Sequence, residues 1–519
     1  MKGFRKPAGG SGQVEQEFQR ALDLHAAGRR KEAEGLLTGV LKKSQWHVGS
    51  LHTLGIIRLQ EGRLEEALAL FRKAVTINPG SAAAQTGVGN ALQALGRHEE
   101  AIERYRRALT GRPQDGYAYN NLGNSYSALG RLEEAADCFR QAVARQPELA
   151  AAHGNLGNAL LALNRLEEAV ASYEAALALN PMLGGFHSNL GRTLVVLNRH
   201  EEAISRFLRA RELDPEEPQY PLNLALARLA LGDYASGWLD YEARWRSPSY
   251  SKPRNYPQPL WDGRADIAGK TIFLYFEQGL GDTIQFARYV PLVAQLGAKV
   301  ILEVPKSLLR LFRSLDGPDA LVTASDPPPD FDCHAPLLSL PLAFQTTLES
   351  VPAAVPYLHA APVPAGCSTG ICWAGNPSNS NDRNRSLPLC ELIPLLDVPG
   401  VRFLSLQKVL RDGDQKILAQ RENVDLETDR KGEDFADTAA LVAGLDLVIT
   451  VDTAVAHLAG ALGRQVWVLL PFSAHWAWLR ERDDSPWYPT ARLFRQPEPG
   501  SWTDVVSRAA EALASIVAS

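Results

Sequence analysis

Apolar positions recur along the first half of the chain with a helical spacing, and the whole pattern repeats every 34 residues. Gly28, Gly62, Gly96, Gly130, Asn164, Asn198 and Gly232 mark the period. Close variants of one phrase follow the inner markers: RLEEAL, RHEEAI, RLEEAA, RLEEAV and RHEEAI again. Five residues past each marker stands a small residue: Ala33, Ala67, Ala101, Ala135, Ala169, Ala203 and Gly237. Nine past it the inner repeats carry Phe71, Tyr105, Phe139, Tyr173 and Phe207, and seventeen past it Pro79, Pro113, Pro147, Pro181 and Pro215. This order predicts helical hairpins. The Gly or Asn ends the first helix in the left-handed conformation, and the small residue lets two helices approach. The aromatic fills the gap between hairpins, and the Pro stops the second helix. No single hairpin can bury its own apolar face, so the repeats are expected to stack into a superhelix.

Beyond residue 247 the helical period gives way to SPSYSKPRNYPQPLWDGRADIAG, rich in Pro and aromatics. Short apolar runs then alternate with helical patterns. Strands are expected at 271–277, 299–305, 370–374, 401–406, 445–451 and 465–470, and helices at 282–296, 307–314, 388–395, 435–443, 454–462 and 501–518. A Pro-rich stretch, 326–364, places Asp332-Cys333-His334 at the end of a further strand. Such alternation implies parallel sheets, and the break near residue 364 divides them into two Rossmann-like lobes. The expected fold class is an α-solenoid followed by α/β. Its parts are a disordered N-terminus (1–13), the repeat array (14–247), a linker (248–269), a first lobe (270–364) and a second lobe (365–519). Trp238 and Trp245 mark the last repeat as a cap adapted to a neighbour, and Trp245 and Trp261 are expected to pack at that junction.

The net charge of −5 over 519 residues speaks against nucleic acid as the main partner. Cys138, Cys333, Cys367, Cys372 and Cys390 form no CxxC pair and no zinc spacing, which fits buried thiols in a reducing compartment. The opening MKGFRKPAGGSGQ has no apolar core of a secretory signal. No apolar run reaches the roughly 18 residues of a membrane span. A cytoplasmic location is therefore expected.

In an open α/β sheet, ligands bind at the carboxyl ends of the strands. Several polar stretches fall at such ends. After the apolar run 445–450 comes Val451-Asp452-Thr453-Ala454-Val455-Ala456-His457. A helix starting there aims free N–H groups and a positive dipole end at its ligand, which suits a phosphate. Asp452 and Thr453 are expected to cap it, with His457 one turn in. In Glu277-Gln278-Gly279-Leu280-Gly281-Asp282-Thr283 the glycines make a tight turn with Asp282 at a helix start. Trp373-Ala374-Gly375-Asn376-Pro377 leads to Asn381-Asp382-Arg383-Asn384-Arg385-Ser386, whose arginines suit a phosphate clamp. Ser405-Leu406-Gln407-Lys408 ends another apolar run, and Pro471-Phe472-Ser473-Ala474-His475-Trp476 follows the strand at 465–470. Asp412-Gly413-Asp414 has the spelling of a metal-binding DxD, but its charged setting reads as a solvated loop. In the array, Asn121, Asn155 and Asn189 precede Leu-Gly, and Asn223 precedes Leu-Ala. Asn is a mediocre helix residue that stacking does not require. The column is either a ladder of amides for an extended peptide or simply a common choice in such repeats.

The 34-residue period with this Gly, Ala, aromatic and Pro order resembles the tetratricopeptide repeat, over about residues 14–247. In that family the Asn position faces the concave groove. The O-linked N-acetylglucosamine transferases carry a similar ladder and a similar overall layout. Over residues 270–515, GLGDT and VDTAVAHLAGALG resemble motifs of the two-lobed (GT-B type) glycosyltransferases of the heptosyltransferase-like group. The wider set WAGNP, RS, SLQK and SPWYP is similar to the catalytic half of bacterial tetratricopeptide glycosyltransferases. The resemblance implies inverting transfer of a sugar from a nucleotide-sugar donor to a polypeptide acceptor held by the array, without metal or cofactor. It implies that Asp282 is the catalytic base. Gly281, Arg385, Gln407, Lys408, Asp452, Thr453, Ala454 and His457 would bind the donor, and Asn121, Asn155, Asn189 and Asn223 the peptide. Two alternatives stand beside this: transfer to a saccharide or lipid-linked acceptor, or a non-catalytic scaffold with a degenerate transferase domain.

Overall fold

The computed structural model describes residues 11–248, 250, 253–327, 329–363, 368–379, 381–426 and 434–518. Of the expected disordered N-terminus, residues 1–10 lie outside the described residues, and a helix already begins at Ser11. Part of the expected linker (249, 251 and 252) and the lobe boundary at Pro364 also lie outside them.

Helices pair as the 34-residue period requires, from Ser11–Ala26 to Tyr234–Tyr241. Gly28, Gly62, Gly96, Gly130 and Gly232 have φ between 72° and 81°, and Asn164 and Asn198 have φ of 59° and 58°. These are the left-handed positions that end each first helix. Ala67, Ala101, Ala135, Ala169 and Ala203 are fully buried, as are Phe71, Tyr105, Phe139, Tyr173 and Phe207 to within 1%. Phe71, Tyr105, Phe139 and Tyr173 each press on a glycine of the preceding helix. A Cβ at Gly123 would lie 2.6 Å from Phe139, and one at Gly157 2.7 Å from Tyr173, so the Leu-Gly pair is a packing requirement. Each second helix but the last opens with one repeated ion pair, Arg to Glu three residues on: Arg63–Glu66, Arg97–Glu100, Arg131–Glu134 and Arg165–Glu168 among them.

The chain divides into two compact units, residues 1–193 and 194–519. The division falls inside the repeats and not at residue 250, where the composition shifts. The cause is the apolar core of the second unit. Leu222, Leu229, Tyr234, Trp238 and Tyr241 of the last repeat share it with Ile272, Phe286, Trp476 and Trp487. Trp238 stands edge-on to Phe286 (6.0 Å), Trp476 (5.2 Å) and Trp487 (6.5 Å), and Trp487 Nε1 donates to Tyr234 Oη at 2.8 Å. The expected cap role of Trp238 is met in this contact. Trp261 is buried against Phe344.

The rest of the second unit is α/β with two parallel sheets. The first holds β1 (Thr271–Tyr275), β2 (Lys299–Glu303), β3 (Pro318–Val322) and β4 (Cys333–Pro336), in the order β3-β2-β1-β4. The second holds β5 (Thr369–Cys372), β6 (Phe403–Ser405), β7 (Val424–Asp425), β8 (Leu447–Val451), β9 (Gln465–Leu470) and β10 (Ala491–Arg495), in the order β10-β9-β8-β5-β6-β7. Strand order reverses between β1 and β4 in one sheet and between β5 and β8 in the other. These are the points where a crevice opens at the carboxyl ends.

Several expectations need correction. Strands β3, β7 and β10 were not legible: each lies at a sheet edge, where half of the residues need not be apolar. In β10 the guanidinium of Arg492 covers the Trp467 and Phe494 rings instead. The helix expected at 282–296 is three pieces, Leu280–Phe286, Ala287–Tyr289 and Val290–Gln295, because Pro291 starts a new helix. Asp332-Cys333-His334 leads into β4 and does not end a strand. Residues 357–363, placed in the first lobe, hydrogen-bond to helices of the second sheet: Tyr357 N to Ala461 O and Val363 N to Ala440 O, both at 3.0 Å. Among the described cysteines, Cys333 and Cys372 are buried, Cys138 is half-buried and Cys390 is exposed against expectation; Cys367 lies outside the described residues. No described helix is long and apolar enough to cross a membrane.

Candidate functional site

The turn after β1 and the helix after β8 meet. A Cβ at Gly281 would lie 2.9 Å from Cδ2 of His457 and 3.6 Å from Cα of Ala454. Only glycine allows this approach, which brings Asp282 beside the start of helix Ala454–Ala461. Asp282 belongs to helix Leu280–Phe286 and its carboxylate accepts from Gly279 N at 3.2 Å. Burial raises its pKa above the usual carboxylate value, His475 draws it down and Asp452 pushes it up. A carboxylate raised in this way is suited to take a proton.

Thr453 alone caps the second helix, its hydroxyl accepting from Val455 N at 3.3 Å. Asp452 was expected to share that role. Its side chain instead stands half-buried without a hydrogen bond among the described residues, while its carbonyl accepts from Arg385 Nη1 at 3.2 Å. Arg385 is held close by a second glycine, since a Cβ at Gly375 would lie 2.7 Å from Nη2. Its Nε is buried without a hydrogen-bond partner among the described residues, 3.9 Å from Asp382. Asp382 itself is paired with Arg411 and accepts from Ser386 Oγ at 2.7 Å. This network shapes the arginine loop. Asp382 was quoted in the sequence without a role, because nothing in the sequence says that it folds inward.

Gln407 and Asp414 need correction. Gln407 was expected to touch the donor. It is buried, its Oε1 accepts from Trp373 N (3.2 Å) and Ala374 N (3.0 Å), and its Nε2 donates to Val409 O (3.1 Å). The amide oxygen therefore holds the loop after β5, and the amide nitrogen holds the loop after β6. Asp414 was read as solvated. It is buried, and accepts from Trp373 Nε1 at 3.0 Å and Arg411 N at 2.9 Å. Lys408 is exposed at the end of β6, with no ion pair among the described residues.

His457 is buried, stacked on Trp478 at 5.4 Å, with Nδ1 3.0 Å from Tyr488 Oη. Burial lowers its pKa to about 4, against the pull of Asp452 and with help from His475, Arg288 and Arg385. The imidazole is thus neutral at pH 7. Because the unfolded chain takes up this proton near pH 6.5 and the folded one only near 4, stability falls as pH drops through that window. Between pH 7 and pH 5 this group should cost roughly 2 kcal/mol. Urea unfolding at both pH values should show wild type losing that much more than His457→Gln. Equal losses in the two proteins would place the imidazole in contact with water. Trp478 was missed as part of this site; His475 and Tyr488 lie inside the quoted Pro471–Trp476 and SPWYP stretches but were given no role, and the contact of Tyr488 with His457 is made only in three dimensions.

The Asn column of the repeats is bound sideways. Asn121, Asn155 and Asn189 donate to Asn90, Asn124 and Asn158 of the preceding repeat, at 3.0, 3.1 and 2.8 Å. Asn155 also donates to Asn120 at 3.0 Å, and Tyr105 and Tyr173 donate to Asn90 and Asn158 at 2.8 and 2.7 Å. Asn223 is buried and accepts from Gln219 at 2.8 Å. Packing does use this column, contrary to the expectation, and the second row at Asn90, Asn124 and Asn158 was overlooked. Asn155→Ala should therefore destabilise the array by about 1–2 kcal/mol, two neutral hydrogen bonds less the better helix propensity of Ala. A chemical melt of the variant checks this; an unchanged midpoint would return the column to a solvent-facing one.

Residues 48–114 and 80–148 match one tetratricopeptide repeat family model, and residues 120–181 and 188–251 another. Protein FlbA of Caulobacter vibrioides is 30% identical over 330 residues, 56% of this chain and 54% of FlbA, so the chain spans about half the length of that relative. PilF of Pseudomonas aeruginosa is similar in structure over 38% of this chain and 90% of its own, with 23% identity and a TM-score of 0.36. A thermophilic tetratricopeptide protein of Thermus thermophilus covers 35% of this chain and 99% of its own, with 26% identity and a TM-score of 0.31. The N-terminal region of the chain is an array of tetratricopeptide repeats, followed by an α/β region with parallel sheets.

Proposed function

We propose that the chain is a nucleotide-sugar-dependent glycosyltransferase of two-lobed type, moving a sugar to a polypeptide acceptor engaged by the repeats. The observation that carries this reading is the close approach of Gly281 to His457 and Ala454. It joins a carboxylate of raised pKa after β1 to a helix start after β8, each at a point where its sheet reverses order. In this reading Asp282 accepts the proton of the acceptor hydroxyl as its oxygen attacks the anomeric carbon. The N–H groups at Thr453 and Ala454, with Arg385 and Lys408, take the charge of the departing diphosphate. The unpaired Asp452 carboxylate and the neutral His457 orient the sugar. The polypeptide acceptor rests on the repeats, whose type commonly binds peptides, and on the amide rows. Gln407 supports the site from behind the loop after β5.

A panel of nucleotide-sugars in a thermal-shift assay tests the reading. A true donor at 100 times its Kd should stabilise the protein by about 2.7 kcal/mol. If no nucleotide-sugar raises the melting temperature, the scaffold alternative takes its place.

A further inference from the structure

The loop after β9 runs from Pro471 to His475 and leads into a short helical turn, Trp476–Trp478. Trp476 packs on Phe286, at the end of the helix that holds Asp282, at 6.3 Å, and Trp478 stacks on His457 at 5.4 Å. His475 opens this turn, its Nδ1 accepting from Ala477 N at 3.4 Å, and its ring is exposed. It lowers the pKa of both Asp282 and His457, which puts it within electrostatic reach of each. The path of the loop therefore sets the place of this imidazole. Residues 471–474 make no backbone-to-backbone hydrogen bond among the described residues. Side chains hold them instead. Gln496 Oε1 accepts from Phe472 N at 3.0 Å, Asn198 Nδ2 donates to Phe472 O at 2.7 Å, and Ser473 Oγ donates to Val195 O at 3.2 Å. Val195 and Asn198 belong to the same compact unit as the loop. The Arg480–Glu201 pair, at 3.4 Å, adds little because Glu201 is exposed.

Asn198 is one of the left-handed markers of the repeats, a position that glycine fills at least as well as asparagine. Gly28, Gly62, Gly96, Gly130 and Gly232 occupy the same place, and Asn164 and Asn198 are the exceptions. Asn164 is exposed, and its side chain makes no hydrogen bond among the described residues. Asn198 is half-buried, with its amide closed on Phe472 O. The turn accounts for the backbone of Asn198 but not for its side chain; the bond to the loop does. Together Gln496 and Asn198 hold the N–H and the carbonyl of one residue, Phe472, three positions before His475. We propose that Asn198 is a positioning residue of the site, whose amide fixes the loop after β9 and thereby the place of His475 beside Asp282. Its effect on sugar transfer rests on the transferase reading; its hold on the loop does not.

Asn198→Gly keeps the left-handed turn and removes only the amide. Hydrogen exchange on the full chain, read by mass spectrometry, should run about three- to tenfold faster over residues 472–479, the worth of one neutral hydrogen bond. Strand β8 should exchange as before, which separates a freed loop from a destabilised protein. Asn198→Asp has the same shape without the N–H donor and should match Asn198→Gly. Asn164→Gly, the same change at the exposed marker, should behave as wild type. With the donor found by thermal shift, Asn198→Gly should also lower kcat about three- to tenfold. The acid limb of its pH–rate profile should move to higher pH. Burial and Asp452 raise the Asp282 pKa, and His475 is the largest pull against them. Glu277, Tyr241 and Tyr250 also lie in the field of Asp282. Burial raises Glu277 to about 7 and holds both phenols protonated, and the substitution touches none of the three. A purely structural role would lower the amount of folded enzyme and leave the limb in place. Unchanged exchange over 472–479, wild-type behaviour of Asn198→Asp, or an unmoved limb overturns the proposal. If no nucleotide-sugar serves as donor, the transferase reading falls, and the exchange data alone decide whether Asn198 holds the loop.

Discussion

Asp282→Asn should lower sugar transfer at least about 100-fold, the usual worth of a general base, while donor affinity stays near wild type. The substitution isolates chemistry from structure. The carboxylate accepts from Gly279 N at 3.2 Å, and an amide oxygen can take the same bond, so the turn keeps its shape. Stability should not suffer either. The folded pKa of Asp282 is raised by burial and by Asp452, so its ionised form destabilises the folded state above that pKa and ceases to do so in acid. At pH 7 the neutral Asn should hold or raise the melting temperature. Turnover of an acceptor peptide and calorimetry with the donor found by thermal shift are the measurements. A variant that transfers sugar near the wild-type rate would remove Asp282 from the mechanism.

Trp238→Ala should cost the second unit about 3–5 kcal/mol, the range for deleting a large buried aromatic. Trp238 is 2% exposed and touches Tyr234, Tyr241, Phe286, Trp476 and Trp487. Phe286 ends the helix that carries Asp282, and Trp476 follows His475, so activity should fall with stability. Trp238→Phe is the control. The indole N–H is buried without a hydrogen-bond partner among the described residues, so losing it relieves a cost while most of the aromatic volume stays. Phe should therefore sit far closer to wild type than Ala in a urea melt. If Ala were tolerated as well as Phe, the last repeat would not share a core with the sheets.

The repeat region was legible almost residue by residue. Its markers fall at fixed intervals, and each has one local physical purpose: φ near +75° at Gly62 and Gly96, a Cβ-free contact at Gly123, a helix end before Pro147. Local causes leave local traces. The ends of strands were legible for the same reason, since VDTAVAH and YFEQGLGDT each run from a strand end through a turn to a helix start within ten residues. The direction of a polar side chain left no such trace. Asp414 and Gln407 read as loop chemistry and turned out to be buried supports, because Trp373 and the backbone at 373–374 needed partners more than solvent did.

The chain alone determined the tetratricopeptide array, the alternation that makes parallel sheets, and the positions of Asp282, Asp452 and His457 at strand ends, because helix periodicity, strand hydrophobicity and turn residues act over a few positions. Tertiary structure decided the rest. It turned the Asn column into bonds between neighbouring repeats, each joining residues 31 positions apart. It drew the last repeat into the core of the second unit through Trp238, Trp476 and Trp487. It set Gly281 against His457, 176 positions along the chain. Each of these depends on which surfaces meet, and that follows from burying the shared apolar area of distant segments, a quantity that no single stretch of sequence carries.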